Sequence, residues 1–295
     1  MIIRAGYKIA FECAAQTPML LQLNVHPSRD ADLLSPDIVR VSPAVPMQSY
    51  VDSFDNRVTR LDAPPGIITF SSDFLIRDSG LPEDTPDDAP LAPVTVLPVD
   101  TLRFLLPSRY CDSDGLSDFA WGKFAGAASG AKLVQAICDF VHDHVQFDYG
   151  RADARRCASG ALNEGVGVCR DFAHLAIALC RAMNVPARYC AGYLGDIGVP
   201  PNPDPMDFSG WFEAFLTGRW YSFDARHNVP RIGRVVMAYG RDAADAALSS
   251  AFGPAPLRTF EVTTYEETGV ECANSPTSAA WPDAPTSREY FPQRQ

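Results

Sequence analysis

The sequence predicts an α+β protein in which a β-rich N-terminal part precedes a part that combines helices with an antiparallel sheet. Residues 1–100 contain short apolar runs separated by turn residues, such as MLLQLNV, IVRVSP and GIITFSSDFLI, which is typical of antiparallel strands. After residue 101, apolar residues recur every three or four positions, which indicates helices, for example over residues 131–146. We therefore expect a β-sandwich over residues 1–100, a mixed domain over 101–265 and a polar tail over 266–295.

Composition and charge exclude several classes of partner. The 295-residue chain carries a formal net charge of -11, so it has no basic surplus with which to neutralise nucleic acid or an anionic membrane. The N-terminal residues 1–17 lack the apolar core and cleavage site of a secretory signal, and no run of about 18 apolar residues occurs. We expect a cytoplasmic protein with neither nucleic acid nor membrane as partner.

The eight cysteines show no metal-binding pattern. No CxxC pair occurs, and no cysteine has a histidine at zinc-finger spacing, so we expect neither a metal nor another cofactor. In a reducing compartment, each cysteine is then either a small hydrophobic residue or a nucleophile.

The stretch from Gly165 to Arg188 predicts a helix that begins at or beside Cys169. Asn184 is a suitable left-handed cap, and Pro186 cannot continue the helix. A helix N-terminus lowers the pKa of a thiol and offers N–H groups to a developing oxyanion, as acyl transfer requires. The alternative is that Cys169 is merely the first residue of a buried helix face, as we expect Cys180 to be.

Neighbours of Cys169 on the same helix do not supply a general base. At about 100° per residue, His174 points about 140° away from Cys169, and Asp171 is rotated by about 200°. We expect both side chains to contact neighbouring elements instead.

The order of motifs resembles the transglutaminase-like superfamily over residues 105–265. The motifs are G-x-C before a helix of small and apolar residues, then RAMNVPAR and a strand, then the hairpin GWFEAFLTGRWYSFD that ends at Asp224. The resemblance implies a β domain over residues 1–100, as in bacterial members, and a papain-like domain in which the cysteine helix packs on an antiparallel sheet. It also implies a cysteine peptidase, amidase or acyltransferase with a peptide or protein amide as substrate.

The triad that this resemblance implies has a departure at the histidine. Cys169 and Asp224 match the family cysteine and aspartate, but Ser209 stands two residues before Trp211, where the family has its histidine. If Thr217-Gly218 is a two-residue turn, Trp211 faces Asp224 and Ser209 faces Arg226. Alternation then places Ser209, Trp211 and Asp224 on one face of the sheet, which we expect to look toward the Cys169 end of the helix.

Serine cannot accept a proton near neutral pH, and loss of a general base costs roughly 10²- to 10⁴-fold in rate. Three hypotheses follow. His227 could serve as base if the chain turns after Asp224. Alternatively, the helix N-terminus and Arg170 keep Cys169 as a thiolate without an imidazole. Thirdly, the chain is a weak or inactive module that binds peptides or proteins in the retained pocket.

Two further residues are candidates for substrate binding. Trp211 is a candidate lining residue for an acyl or peptide groove, although tryptophan in a hairpin also suits the core of a sheet. Arg226 is a candidate to orient a substrate carboxylate, although an ion pair with Asp224 or Glu213 is an alternative. The sequence leaves open the oligomeric state and whether water or an amine accepts the acyl group.

Overall fold

The computed structural model describes residues 1–84, 88–127, 129–202 and 204–268. Its N-terminal part contains two four-stranded antiparallel sheets, completed by two strands from near the end of the described chain. The strands of the first sheet, in spatial order, are β14 (Leu257–Glu266), β1 (Ile2–Cys13), β6 (Gly66–Arg77) and β3 (Arg40–Ser42). Those of the second are β13 (Ser249–Ala251), β2 (Thr17–Leu21), β5 (Arg57–Ala63) and β4 (Met47–Val51).

Both N-terminal sheets contribute to one hydrophobic core. Alternate residues of the long strands point into it, as the period of two in a strand requires. The core includes Ile3 and Phe70 from the first sheet and Met19 and Leu61 from the second. Tyr193 also enters this core, so the N-terminal part packs directly against the rest of the chain.

The remaining described elements form a helical layer on a third antiparallel sheet. The helices are α1 (Ser117–Phe124), α2 (Ala131–His144), α3 (Ala158–Glu164) and α4 (Cys169–Ala182), and two short strands, β7 (Gln146–Phe147) and β8 (Val166–Gly167), pair in parallel. The third sheet has the order β11 (Arg219–Phe223), β10 (Ser209–Leu216), β9 (Ala187–Leu194) and β12 (Arg234–Gly240).

Helix α4 is the central element of this second part. Its residues from Phe172 to Cys180 are almost all buried, and they share a core with Phe212 and Ala214 of β10. Since side chains alternate along β10, Phe212 and Ala214 define the face of the sheet that packs on α4, and Ser209, Trp211 and Glu213 belong to the other face. The helix ends as the sequence predicts, with Asn184 in the left-handed region at φ 61°.

The strand pairing does not match the boundary predicted at residue 265. Strand β14 pairs with β1, and β13 pairs with β2, so residues 249–266 complete the N-terminal sheets and do not extend the second part. Pairing covers an edge of each N-terminal sheet that would otherwise expose unpaired backbone groups. Most of the predicted tail, residues 269–295, lies outside the described residues. Within the described ranges, no helix has the length and apolarity needed to cross a membrane.

Candidate active site

The cysteine helix is anchored at its start by a buried carboxylate. The Val168 N–H donates to Asp171 Oδ2 over 2.9 Å, and the guanidinium of Arg156 lies 3.0 Å from the same oxygen. This is a helix cap reinforced by an ion pair, which satisfies a backbone donor that the helix itself cannot satisfy. Asp171 therefore has the structural use expected from its rotation away from the thiol.

Cys169 is the first residue of α4, and its side chain is half-buried. Burial raises the pKa of its thiol to about 11, and the Asp207 carboxylate adds to the rise. The Arg226 guanidinium and a backbone hydrogen bond from Gly210 act in the opposite direction but do not overcome burial. At neutral pH the resting thiol is therefore protonated, which differs from the lowered pKa expected for this helix position.

Arg170 does not sustain a thiolate in this structure. Its guanidinium donates to the Asp153 carbonyl and lies 3.3 Å from Asp171 Oδ1, with the Tyr110 ring 5.5 Å away. Arg226, which comes from a different part of the chain, is a cation that lowers the pKa of the Cys169 thiol.

Strand β10 brings its first residues to the thiol. Gly210 contacts Cys169 through its backbone, and a Cβ at Gly210 would clash with the Tyr189 hydroxyl, so only glycine fits without displacing that ring. Ser209, the residue before it, is buried on the other face of the strand, and its Oγ has no hydrogen-bond partner among the described residues. The expectation that the face of Ser209 looks toward the Cys169 end of the helix is therefore wrong. The family histidine position is thus adjacent in sequence to a thiol contact.

The hairpin has the register that the sequence predicts. Phe212 pairs with Phe223 and Leu216 pairs with Arg219. Thr217 and Gly218 both have positive φ, at 48° and 86°, as a two-residue turn requires.

The paired strand ends at Phe223, so neither of the predicted pairings, Trp211 with Asp224 and Ser209 with Arg226, forms. The Asn228 N–H donates to the Asp224 carbonyl over 2.8 Å and closes a turn over residues 224–228. The chain therefore turns after Asp224, which is the condition that the sequence set for His227 to approach the site.

Asp224 and His227 form a hydrogen-bonded pair at this turn. The His227 Nδ1–H donates to Asp224 Oδ2 over 2.7 Å, and the backbone N–H groups of Arg226 and His227 donate to Asp224 Oδ1 over 2.9 and 3.0 Å. Nδ1 must carry the proton when Asp224 is ionised, because a carboxylate only accepts. The imidazole is partly exposed, whereas the carboxylate is buried.

A buried arginine from β12 completes the surroundings of Asp224. The Arg234 Nη2–H donates to Asp224 Oδ2 over 2.6 Å, and its guanidinium lies 4.9 Å from the centre of the Trp211 ring. Burial alone would raise the pKa of the Asp224 carboxyl, but Arg234 and His227 outweigh burial and hold that pKa well below its usual range. Asp224 therefore stays ionised at neutral pH.

The two substrate-binding candidates have different surroundings. Trp211 is only 2% exposed and packs with Cys190 and Val236, so the structure corrects the groove-lining hypothesis and places Trp211 in the core of the sheet. Arg226 is partly exposed, and its guanidinium lies 3.8 Å from the centre of the Phe147 ring. Neither ion pair proposed for Arg226 forms: Asp224 pairs with Arg234, and the Glu213 carboxylate pairs with the Arg188 guanidinium at 2.6 Å.

The sequence did not point to Arg234 or Asp207 as parts of this site. Arg234 lies ten residues beyond Asp224, on a strand that reaches the hairpin only through β9, and one arginine in a strand carries no motif. Asp207 lies two residues before Ser209, and this closeness in sequence could have indicated that Asp207 lies near the site. Across the described ranges, no group of three or more histidine, cysteine, aspartate or glutamate side chains is arranged to hold a metal ion.

Comparisons with known proteins agree with this architecture. The model of the transglutaminase-like superfamily matches residues 118–225, which include Cys169, Ser209 and Asp224. A crystal structure from Cytophaga hutchinsonii, described as a "putative cysteine protease", is 31% identical, with 92% of each chain covered and a TM-score of 0.80. An uncharacterized protein of Mycobacterium leprae (strain TN) is 25% identical over 216 residues, which span 71% of this chain and 77% of that protein. The superfamily model matches residues 118–225, and the similarity to the Cytophaga structure extends over nearly the whole of both chains, so this chain belongs to the transglutaminase-like superfamily.

Proposed function

We propose that this chain is a cysteine-dependent hydrolase or acyl transferase that acts on an amide bond, with Cys169 as nucleophile and His227 as general base. The observation that carries the proposal is the 2.7 Å hydrogen bond from His227 Nδ1–H to the buried Asp224 carboxylate. This pair lies on the turn whose Arg226 acts on the thiol. The description given to the Cytophaga protein supports the same class of reaction.

A general base is needed because the thiol is protonated at neutral pH. Asp224 accepts the Nδ1 proton of His227, so Nε2 keeps its lone pair for the proton of the thiol. As Nε2 takes that proton, the sulfur attacks the amide carbonyl and the carbonyl π electrons move to oxygen. The resulting imidazolium is stabilised by Asp224 and returns the proton to the leaving amine when the tetrahedral intermediate collapses to a thioester.

The N-terminus of α4 is the proposed source of oxyanion stabilisation. The first N–H groups of a helix have no partner within the helix, and they carry partial positive charge. Because Cys169 is the first residue of α4, an acyl group on its sulfur places the carbonyl oxygen near these donors. Water or an amine then cleaves the thioester, and this choice decides between hydrolysis and acyl transfer.

Arg226 is the proposed substrate-orienting residue. Its guanidinium lies 3.8 Å from the centre of the Phe147 ring and lowers the pKa of the thiol, and its planar set of N–H groups suits a carboxylate or carbonyl of a bound peptide. We also assign the two N-terminal sheets, including β13 and β14, to the β-sandwich expected from the sequence, since both sheets contribute to one core.

One observation favours a second function, that of a module that binds peptides or proteins without turnover. Ser209 stands where the family has its histidine, and the Cys169 thiol that such a histidine would activate has a raised pKa. If His227 does not reach the thiol proton, the pocket keeps its shape without a base.

Turnover by four proteins separates these functions. Wild type, Cys169→Ala, His227→Ala and Ser209→His are assayed on activated acyl esters and on a glutamine peptide with an amine acceptor. The proposal expects wild-type activity that is lost in Cys169→Ala and falls by roughly 10²- to 10⁴-fold in His227→Ala, with little gain from Ser209→His. Background rates in the first three proteins, with a large gain in Ser209→His, would contradict His227 as base and favour a site that has lost its base.

A further inference from the structure

The outer face of helix α2 contacts the turn that carries the proposed base. Residues Gln135, Asp139 and His142 are spaced by four and three positions, so they share one face of α2, opposite the buried residues Ile137 and Val141. All three are exposed and polar. An exposed polar helix face needs no partner for stability, so the hydrogen bonds of this face to another part of the chain need an explanation other than burial of apolar surface.

Two sets of hydrogen bonds join this face to the turn over residues 224–228. The His142 Nδ1–H donates to the Arg226 carbonyl over 2.9 Å. Gln135 Nε2–H donates to Asn228 Oδ1 over 2.9 Å, and Asn228 Nδ2–H donates to Asp139 Oδ1 over 2.8 Å. The two partners in the turn, Arg226 and Asn228, are the residues on either side of His227.

The turn over residues 224–228 is held from two sides. Asn228 has φ 52°, in the left-handed region that asparagine adopts more readily than most residues other than glycine. On its inner side the turn is fixed by the Asp224 carboxylate, which accepts from the backbone N–H groups of Arg226 and His227. The α2 face fixes the outer side, so that the imidazole between the two anchors has a defined direction.

We propose that Gln135, Asp139 and His142 form a docking face that positions His227 and Arg226 relative to Cys169. The inference rests on the proposed function, because it assigns a purpose to holding His227 in place. These three are positioning residues, since their hydrogen bonds to the turn go to Arg226 and Asn228, on either side of His227. A misplacement of about 1 Å in a catalytic group can cost about 10²-fold in rate, so even a small loosening of the turn is measurable.

The test compares variants at His142 with a matched control on the same helix. His142→Ala removes the donor to the Arg226 carbonyl, whereas His142→Asn keeps a side-chain N–H near the position of Nδ1. His144→Ala is the control, because His144 is also exposed but its Nε2–H donates to the Leu162 carbonyl on α3, over 2.6 Å. Gln135→Ala is a second loosening variant in case His142→Ala does not fold.

The first readout is the imidazole NMR spectrum of histidine-labelled protein, with signals assigned from His227→Ala. We expect His142→Ala to shift the His227 signals and to speed exchange of its Nδ1 proton, with recovery in His142→Asn and no change in His144→Ala. The second readout is kinetic: kcat should fall by about 10- to 10²-fold in His142→Ala, with KM changed less than about twofold.

Unchanged His227 signals in both His142→Ala and Gln135→Ala would overturn the docking face. If the signals shift but wild type turns over no faster than Cys169→Ala, the docking face stands and the proposed function fails. If the signals shift in an active enzyme while kcat and KM stay at the His144→Ala values, the positioning role is wrong.

Discussion

Replacement of Asp224 by asparagine tests both the stability and the chemistry of the site. Asparagine keeps an oxygen that can accept from the Arg226 and His227 backbone N–H groups. In place of Oδ2 it puts an amide NH₂, which cannot accept from His227 Nδ1–H or from the buried Arg234 guanidinium. Removal of one partner of a buried ion pair costs about 3–5 kcal/mol, because the other charge is left buried. Glu83 still lies 2.9 Å from Arg234 Nε, so we expect a loss near the lower end, about 3 kcal/mol.

Urea unfolding at neutral pH measures this loss, and turnover of an activated ester measures the catalytic effect. The matched control is Asp30→Asn, because Asp30 lies 2.9 Å from Arg57 but the two side chains are 46% and 30% exposed, and such a pair contributes about 0–1 kcal/mol. We expect activity of Asp224→Asn to fall by about 10⁴-fold, since the imidazole loses the group that fixes its tautomer. A stability loss below about 1 kcal/mol, equal to that of Asp30→Asn, would refute the assignment of Asp224 as a buried ionised group.

Three further predictions follow from the charges of the described residues. The pKa of Asp224 in the folded protein is depressed below its unfolded value of about 3.9, so the stabilisation by Asp224 is present above about pH 4 and lost below it. In urea unfolding series, the stability difference between wild type and Asp224→Asn should therefore shrink as pH falls through that range. Burial holds the pKa of His174 well below 6.5, so wild type should lose stability as pH falls below about 6.5. His174→Gln keeps an acceptor for the Ala243 N–H and should lose less stability over the same range. Equal dependence of unfolding free energy on pH in the two proteins would contradict this. The rate of iodoacetamide labelling of Cys169, measured against pH by mass spectrometry, should follow a pKa of about 11. Labelling should slow in Arg226→Ala and speed up in Asp207→Asn. Rate changes of the opposite sign would contradict the charges placed around the thiol.

Local patterns in the sequence were enough to predict the helix and hairpin that carry the site. Asn184 and Pro186 mark the end of α4, and Thr217-Gly218 fixes the register of β10 with β11. Such features are determined by residues close in sequence. The turn after Asp224 was foreseen as a condition for His227, and local hydrogen bonds to Asp224 close it, but the bond from Arg234 on a later strand to the same carboxylate was not foreseen.

Features that depend on distant segments could not be predicted. Strands β13 and β14 complete the N-terminal sheets from the far end of the described chain, and no local pattern specifies a partner more than 200 residues away. The raised pKa of Cys169 has the same origin, because burial by other elements outweighs the helix N-terminus that the sequence showed. Arg234 becomes part of the site only through the order of strands in the third sheet.

The central claim is that Cys169 forms a thioester with the help of His227, and acyl-enzyme trapping tests it most directly. Wild type, Cys169→Ala, His227→Ala and His144→Ala are mixed with an activated acyl ester, quenched at short times and mapped by mass spectrometry. The account predicts one acyl group per chain on the peptide that contains Cys169, formed about 10²- to 10⁴-fold more slowly in His227→Ala and at the wild-type rate in His144→Ala. Acylation no greater than that of Cys169→Ala, or equal rates in wild type and His227→Ala, would contradict it.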